Sequence, residues 1–264
     1  MKKISFISSF ILLISLCAVA QKNVVKIHAL PFAWGEMRFG YERVLTPKLS
    51  LQFNYGGFFS NKIPSLLYRT SSVETYNNTV PILNKLNGFS TSIDLRIYTK
   101  GDAPQRFYIA PYVKYNRYNI TASASFEYAA NPSEFIQLTS EQQAVGGFQT
   151  DGNYHYDATG TLDGTITQYG LGFSIGIQFI VAKIISIDLT FIGLGVEYND
   201  VNADLTTNID VDYQKWLPYV QSEVEDIPYI GNKVELEAEK DKIKMHAPII
   251  APTLRAGITV GIAF

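Results

Sequence analysis

Eight charged side chains recur at alternating positions of otherwise apolar segments: Glu36, Arg38, Glu42, Asp94, Arg96, Lys114, Asp188 and Arg255. Four are acids and four are bases, so the set is able to pair off internally. Such a set supports three kinds of chemistry: a buried ion-pair network, a polar pore, or a path for protons. The width of the space the side chains share decides between them. Lys26 and His28 join the set if the first segment keeps its register.

Hydrolytic chemistry needs a nucleophile with a base in hydrogen-bond reach. The three histidines lie in His28-Ala29-Leu30, His155-Tyr156-Asp157 and His246-Ala247-Pro248. None is followed two residues later by the serine that a lipid-deacylating barrel would offer. His155 with Asp157 reads as loop surface, not as a base with its orienting acid. The histidines are far apart and no HExxH occurs, so spacing offers no zinc site. Asp151, Asp157 and Asp163 recur without calcium-loop spacing. The single cysteine, Cys17, lies near the N-terminus, which leaves the rest of the chain without a disulfide or a thiol nucleophile. No enzyme, metal or cofactor is expected; a lipid-modifying activity is the weakest of the functional alternatives.

The elements that carry these charges are strands of period 2. The segment ending the sequence, Leu254 to Phe264, sets Leu254, Ile258, Val260, Ile262 and Phe264 against Arg255, Gly257, Thr259, Gly261 and Ala263. The same alternation occurs over Gly35 to Leu45, Leu49 to Gly57, Phe89 to Thr99, Arg106 to Tyr118 and Tyr169 to Phe179. A seventh run starts with Ile185, Ile187, Leu189 and Phe191 on the apolar face. It then shifts parity to Leu194, Val196 and Tyr198, which places a bulge near Ile192-Gly193. Val24 to Leu30 adds a short first strand. The face opposite the apolar one is Gly, Ser, Gln and charge. A soluble lipocalin-like barrel could not use such residues as its core, whereas a membrane barrel turns its apolar face to lipid.

Composition agrees. Aromatic content is 13% and charged content 17%, a balance that suits strands and membrane interfaces. After the N-terminus no apolar run approaches the roughly 18 residues of a spanning helix. Met1 to Ala20 reads as a signal peptide: Lys2 and Lys3, an apolar stretch from Ile4 to Leu16, and Ala18-Val19-Ala20 as a small-x-small cleavage site. Its removal takes the basic count from 22 to 22 − 2 = 20 against 24 acids, so the charge falls from −2 to −4, and nucleic acid is not an expected partner.

The expected fold is all-β: an eight-stranded antiparallel up-and-down transmembrane barrel over 21–264, with three long extracellular loops at about 58–87, 119–166 and 199–247. Tight turns near Thr46, Lys100 and Ala182 fall at one end, as outer-membrane barrels place their periplasmic turns. The flanks of the second insertion, Thr121 to Tyr128 and Tyr154 to Ile166, read as extended, a hairpin that continues the strands beyond the membrane, and two helical pieces are expected in the insertions. One is capped by Asn131, with Pro132 in its first turn and Glu134 three residues after the cap. The other has Tyr213, Trp216, Leu217, Val220 and Val224 on one face. Eight strands enclose a space that side chains fill, so the charged set is expected to pair and plug the lumen.

The opening strands resemble an uncharacterised family of Gram-negative outer-membrane barrels, a domain of unknown function. The resemblance rests on Asn23-Val24-Val25-Lys26-Ile27, Gly40-Tyr41-Glu42-Arg43-Val44-Leu45 and Leu49-Ser50-Leu51-Gln52. It implies fold and outer-membrane location and no known activity. The Phe264-terminated strand resembles the signal read by the outer-membrane assembly machinery. The expected partners are therefore outer-membrane lipid, that machinery during biogenesis, and an envelope protein reached through the loops. The expected role is a structural or interaction protein. A passive carrier of apolar solutes with a sideways exit is the alternative, its wall parting near Pro111 or the bulge at Ile192-Gly193.

Overall fold

The computed structural model describes residues 22–58, 82–100, 102–130, 154–208, 211–225 and 231–264. The proposed signal peptide, the helix start at Asn131 and Pro132, and the middle of the first insertion lie outside them.

Eight strands close a ring: β1 (Asn23–His28), β2 (Glu36–Thr46), β3 (Leu49–Phe58), β4 (Ile82–Tyr98), β5 (Arg106–Ala130), β6 (Tyr154–Val181), β7 (Ile185–Thr207) and, after a short strand β8 (Glu235–Ala238), β9 (Ile243–Ala263). Every pairing is antiparallel between neighbours, and β1 pairs with β9 to shut the ring. Starting at Val260, the register passes through Ile27, Phe39, Tyr55, Thr91, Tyr115, Tyr169 and Tyr198 and returns to β9 at Ile250. The displacement is 260 − 250 = 10 residues, the stagger that tilts the strands and sets which side chains meet across the lumen.

Alternation is what makes these strands. On β3 the exposure pattern runs strictly in and out, with Ser50, Gln52 and Asn54 buried and Leu51, Phe53 and Tyr55 exposed. The parity shift in β7 is real: Phe191 and Ile192 both face out, and the ladder to β9 slips between Thr190 and Gly193. At the turn after β6, Ala182 and Lys183 both have positive φ (50° and 63°) and the Ile184 N–H donates to the Val181 carbonyl at 3.1 Å, a two-residue turn whose twist suits a hairpin.

The exposed large apolar side chains come from every ring strand and include Ile93 on β4, Val113 on β5, Leu171 on β6, Leu194 on β7 and Leu254 on β9. Above this belt a row of rings crosses four strands. Tyr55 stacks on Phe89, Phe89 meets Tyr115 with centroids 5.8 Å apart, and Tyr115 meets Tyr169 at 5.2 Å. Aromatic rings gather in this way at a membrane–water interface.

Several strands run beyond the alternating segments and into the ranges read as loops. β4 begins at Ile82, β5 continues to Ala130, β6 begins at Tyr154, and β7 continues to Thr207. The last ring strand begins at Ile243, not Leu254. The helix α1 (Tyr213–Glu225) buries Tyr213 and leaves Gln214, Lys215 and Gln221 exposed, and the Asp212 carboxylate caps it by accepting from the Gln214 N–H at 3.1 Å. Four residues of β8 add to the far end of β9, an element with too few residues to show a period.

Neither Pro111 nor the β7 bulge opens the wall. Pro111 pairs with Phe173 inside an unbroken β5–β6 ladder; on its other side the β4–β5 ladder lapses between Asp94–Tyr112 and Ile97–Ile109 and resumes in register, and β7 is paired on both sides of its bulge. The break lies elsewhere. β1 ends at His28, opposite Thr259, and a 3-10 turn over Leu30–Trp34 follows, while β9 continues upward for sixteen more residues, from Ile258 to Ile243. Among the described residues, no strand pairs with that edge of β9 between Ala247 and Gly257.

Candidate functional site: the charged lumen

The inward parity brings all eight sequence-selected charges into or onto the lumen, the first strand keeps the register that lets Lys26 and His28 join them, and Glu197 is added. They stack in three tiers from the tight-turn end upward.

The lowest tier is a four-membered knot. Lys26 Nζ lies 2.6 Å from Glu42 and 2.8 Å from Asp188. Arg96 reaches Asp188 at 2.6 Å and Glu42 at 3.8 Å. Two acids thus share two bases, and all four side chains are almost wholly removed from solvent. Uncharged groups complete the shell. Lys26 also donates to Gln52 and Gln178, each at 2.8 Å. The Tyr98 hydroxyl donates to Glu42 at 2.7 Å and the Tyr108 hydroxyl to Asp188 at 2.8 Å. Ser50 donates a further short bond to Glu42. Arg96 lies over the Tyr108 ring, 4.3 Å from its centroid. A buried charge without a partner is costly, so this dense pairing is what permits four charges to sit inside.

The middle tier is a fork. Arg255 donates both terminal nitrogens to Asp94, at 3.0 and 2.8 Å, the bidentate geometry that suits guanidinium and carboxylate. Arg255 therefore stands above the knot. Asn54 donates to Asp94 at 3.2 Å and meets His28 at 3.0 Å, so His28 is held by an amide in the lumen wall. Arg255 also faces the Tyr112 ring at 5.0 Å.

The upper tier has two separate pairs. Arg38 donates to Glu36 at 2.9 to 3.1 Å, and Ser90 donates to the same carboxylate. Lys114 of β5 bonds Glu197 of β7 across the intervening strand β6. The completed set is five bases (Lys26, Arg38, Arg96, Lys114, Arg255) and five acids (Glu36, Glu42, Asp94, Asp188, Glu197), so charge still balances.

Sequence reasoning missed Glu197 although the signal was present: turning Val196 and Tyr198 outward turns Glu197 in. It also passed over Tyr98, Tyr108, Gln52 and Gln178, whose parity was known but whose lack of charge hid their role in filling the lumen. Phe264 does not reach the lumen network. Its N–H donates to the Asn23 carbonyl at 2.9 Å and its carbonyl accepts from the Asn23 N–H at 3.0 Å, which locks the two ends of the ring together.

Other titratable groups sit on the rim. His246 meets Asn202 at 3.1 Å and Asp200 at 3.4 Å. Lys242 donates to Asp204 at 2.8 Å and Lys244 to Glu239 at 2.5 Å, and those bonds raise both ammonium groups above their ordinary values. His155 belongs to β6, with its side chain outside the described residues. Among the described residues no three His, Cys, Asp or Glu side chains gather as a metal site.

A family model described as a protein of unknown function, DUF3575, matches residues 6–207. The chain belongs to the DUF3575 family. The matched range ends on the last residue of β7, so α1, β8 and the closing strand β9 lie beyond it. No curated protein matches the sequence. Among solved structures the chain is similar to Acinetobacter baumannii CarO, with 13% identity, 94% of this chain and 99% of that one covered, and a TM-score of 0.39. It is also similar to a major outer membrane protein from Thermus thermophilus, with 10% identity, 92% and 98% covered, and a TM-score of 0.37. The N-terminal β-barrel domain of Pseudomonas aeruginosa OprF gives 11% identity, 92% and 98% covered, and a TM-score of 0.25.

Proposed function

We propose that this member of the family is an outer-membrane barrel whose lumen is closed to solutes and whose work is done at its outer end and in its wall. The observation that carries the reading is the Lys26–Glu42–Arg96–Asp188 knot, four buried charges drawn from β1, β2, β4 and β7. Side chains from strands all around the ring meet on the axis there, and the ring is only wide enough for side chains to fill. A proton path would need a group that changes partners, and each member of the knot is already held by several.

Membrane embedding follows from the outer face. Large apolar side chains exposed on every ring strand, bounded by a row of aromatic rings, would penalise a barrel in water and favour one in lipid. In this reading residues 1–20 are an export signal removed after Ala20. Phe264 presents the closing strand to the assembly machinery, and the tight turns face the periplasm. The outer ends of β4 to β7, with α1 and β8, are then the surface offered to another envelope protein, which makes the chain a structural or interaction protein. Solute-driven swelling of vesicles carrying the refolded protein tests the closure: no swelling above protein-free vesicles in small sugars is the expected result, and swelling at a porin-like rate refutes it. One observation favours a second reading, a carrier of apolar molecules that never crosses the plug: the gap in the wall between β1 and β9.

A further inference from the structure

The edge of β9 left bare beyond His28 lies inside the apolar belt. Outward-facing Ile250, Leu254 and Ile258 carry the apolar belt along this edge. The Ala29 N–H donates to the Ile258 carbonyl at 2.8 Å, which shows that even-numbered residues of β9 aim their backbone groups at the β1 side. The in–out exposure of the even residues is unbroken from Ile250 to Ile262, so the assignment holds along the edge. Pro252 falls in this even set, and Pro248 joins it because the β7–β9 register runs without a shift from Arg255 to Ile243. Proline carries no N–H, so two of the donors that would face the gap are absent. Unpaired backbone groups are costly in hydrocarbon, and a strand meant to be covered by another strand would not place two prolines there.

A cavity of about 370 Å³ sits against this gap. Leu30 lines it on one side of the break, and Leu254 and Ala256 on the other. Inward it is lined by Arg38, Lys114 and Arg255. Their acids Glu36, Glu197 and Asp94 do not line it. Exposure says the same: the three cations keep 21 to 27% of their side-chain surface, whereas the acids keep 2 to 11%. The wall thus turns the donor groups of paired cations, not their carboxylates, toward the cavity, the rim is apolar, and the floor is the Arg255–Asp94 fork above the knot.

We propose that this cavity holds the anionic headgroup of a single-chain amphiphile whose acyl tail lies in the gap between β9 and Leu30–Trp34, so that the molecule moves between the barrel and the outer leaflet without crossing the plug. The headgroup oxygens accept from Arg38, Lys114 and Arg255 and from the bare N–H groups of Leu254 and Ala256. The tail lies along Leu30 and Leu254. The proposal rests on the membrane reading above but not on closure of the lumen. A carboxylate or a phosphate fits the same donors, so a free fatty acid and a lysophospholipid are the two sources to separate.

The test measures displacement of a fluorescent long-chain fatty acid from the protein in uncharged detergent, with oleate, oleoyl lysophosphatidate and oleyl alcohol as competitors. Insertion is scored on the same samples by heat-modifiable migration, so a barrel that has not folded is seen separately. The expected result is saturable binding in which an anion competes at least about tenfold better than the alcohol, the worth of one or more bonds to a charged donor. Better competition by oleate or by lysophosphatidate assigns the source. Lys114→Gln should weaken the anion about tenfold and leave the alcohol unchanged. Ala256→Trp, on the exposed rim and away from the ion pairs, should weaken every competitor. Equal competition by alcohol and anion, indifference to Ala256→Trp, or a folded barrel that binds no probe and instead dimerises through the β9 edge would each overturn the proposal.

Discussion

Replacing Arg96 with methionine removes one of the two bases from a knot that holds two acids. Glu42 and Asp188 would then share Lys26 alone, at its present 2.6 and 2.8 Å, leaving one surplus negative charge with almost no access to water. Deleting one partner of a buried pair costs about 3–5 kcal/mol. Arg96 also lies over the Tyr108 ring, a contact whose loss adds about 1 kcal/mol. The expected loss is therefore at the upper end, about 4–5 kcal/mol. Asp188→Asn in the same background removes the surplus charge while its amide oxygen still accepts from Lys26, so the double variant should regain at least half of that loss. Urea unfolding of the protein folded in vesicles, followed by heat-modifiable migration, gives all three values. Arg106→Met is the control: its ion pair with Asp102 is more than half exposed on the arginine side and should be worth at most about 1 kcal/mol. If Arg96→Met lies within about 1 kcal/mol of the parent, or if the second substitution deepens the loss, charge balance does not hold the lumen together.

Two further outcomes follow from the same architecture. Ile93→Arg places a charge on the outer face of β4; in lipid it should cost about 2–4 kcal/mol by vesicle unfolding, whereas on a water-facing surface the same change would stay within about 0.5 kcal/mol. Deleting Phe264 should sharply lower the yield of folded barrel recovered from the cell's membranes while refolding from urea into detergent proceeds nearly as before; equal loss in both would make Phe264 a structural clasp and not an assembly signal.

The fold was legible in the sequence because strand parity is a local property. Ser50, Gln52 and Asn54 alternating with Leu51, Phe53 and Tyr55 state the inner and outer faces without reference to any other strand. The inner charges were legible for the same reason. Their partners were not. Asp188 meets Arg96 across 92 positions of sequence, and only the ten-residue stagger of the closed ring brings β7 opposite β4 at that height. Lys26 is the clearest case: it lies in a six-residue strand too short to establish its own parity, yet it is the centre of the knot. The gap beside β9 was hidden by the opposite problem. Pro248 and Pro252 break the look of a strand, so alternation seemed to begin at Leu254, when the prolines in fact mark an unpaired edge of a strand that starts at Ile243. Of the two weak sites the sequence marks, the β7 bulge is paired on both sides, and Pro111 is held by β6 while the β4–β5 ladder lapses over it and resumes in register.

The central claim is that paired charges close this barrel. Single-channel conductance of the refolded protein in a planar bilayer tests it most directly, with Arg96→Ala and Arg255→Ala measured beside the parent. A silent parent is expected, with leak appearing first in Arg96→Ala, which opens the knot, and less in Arg255→Ala, which opens only the fork above it. Steady conductance from the unaltered protein would contradict it and make the charged lumen a route for ions.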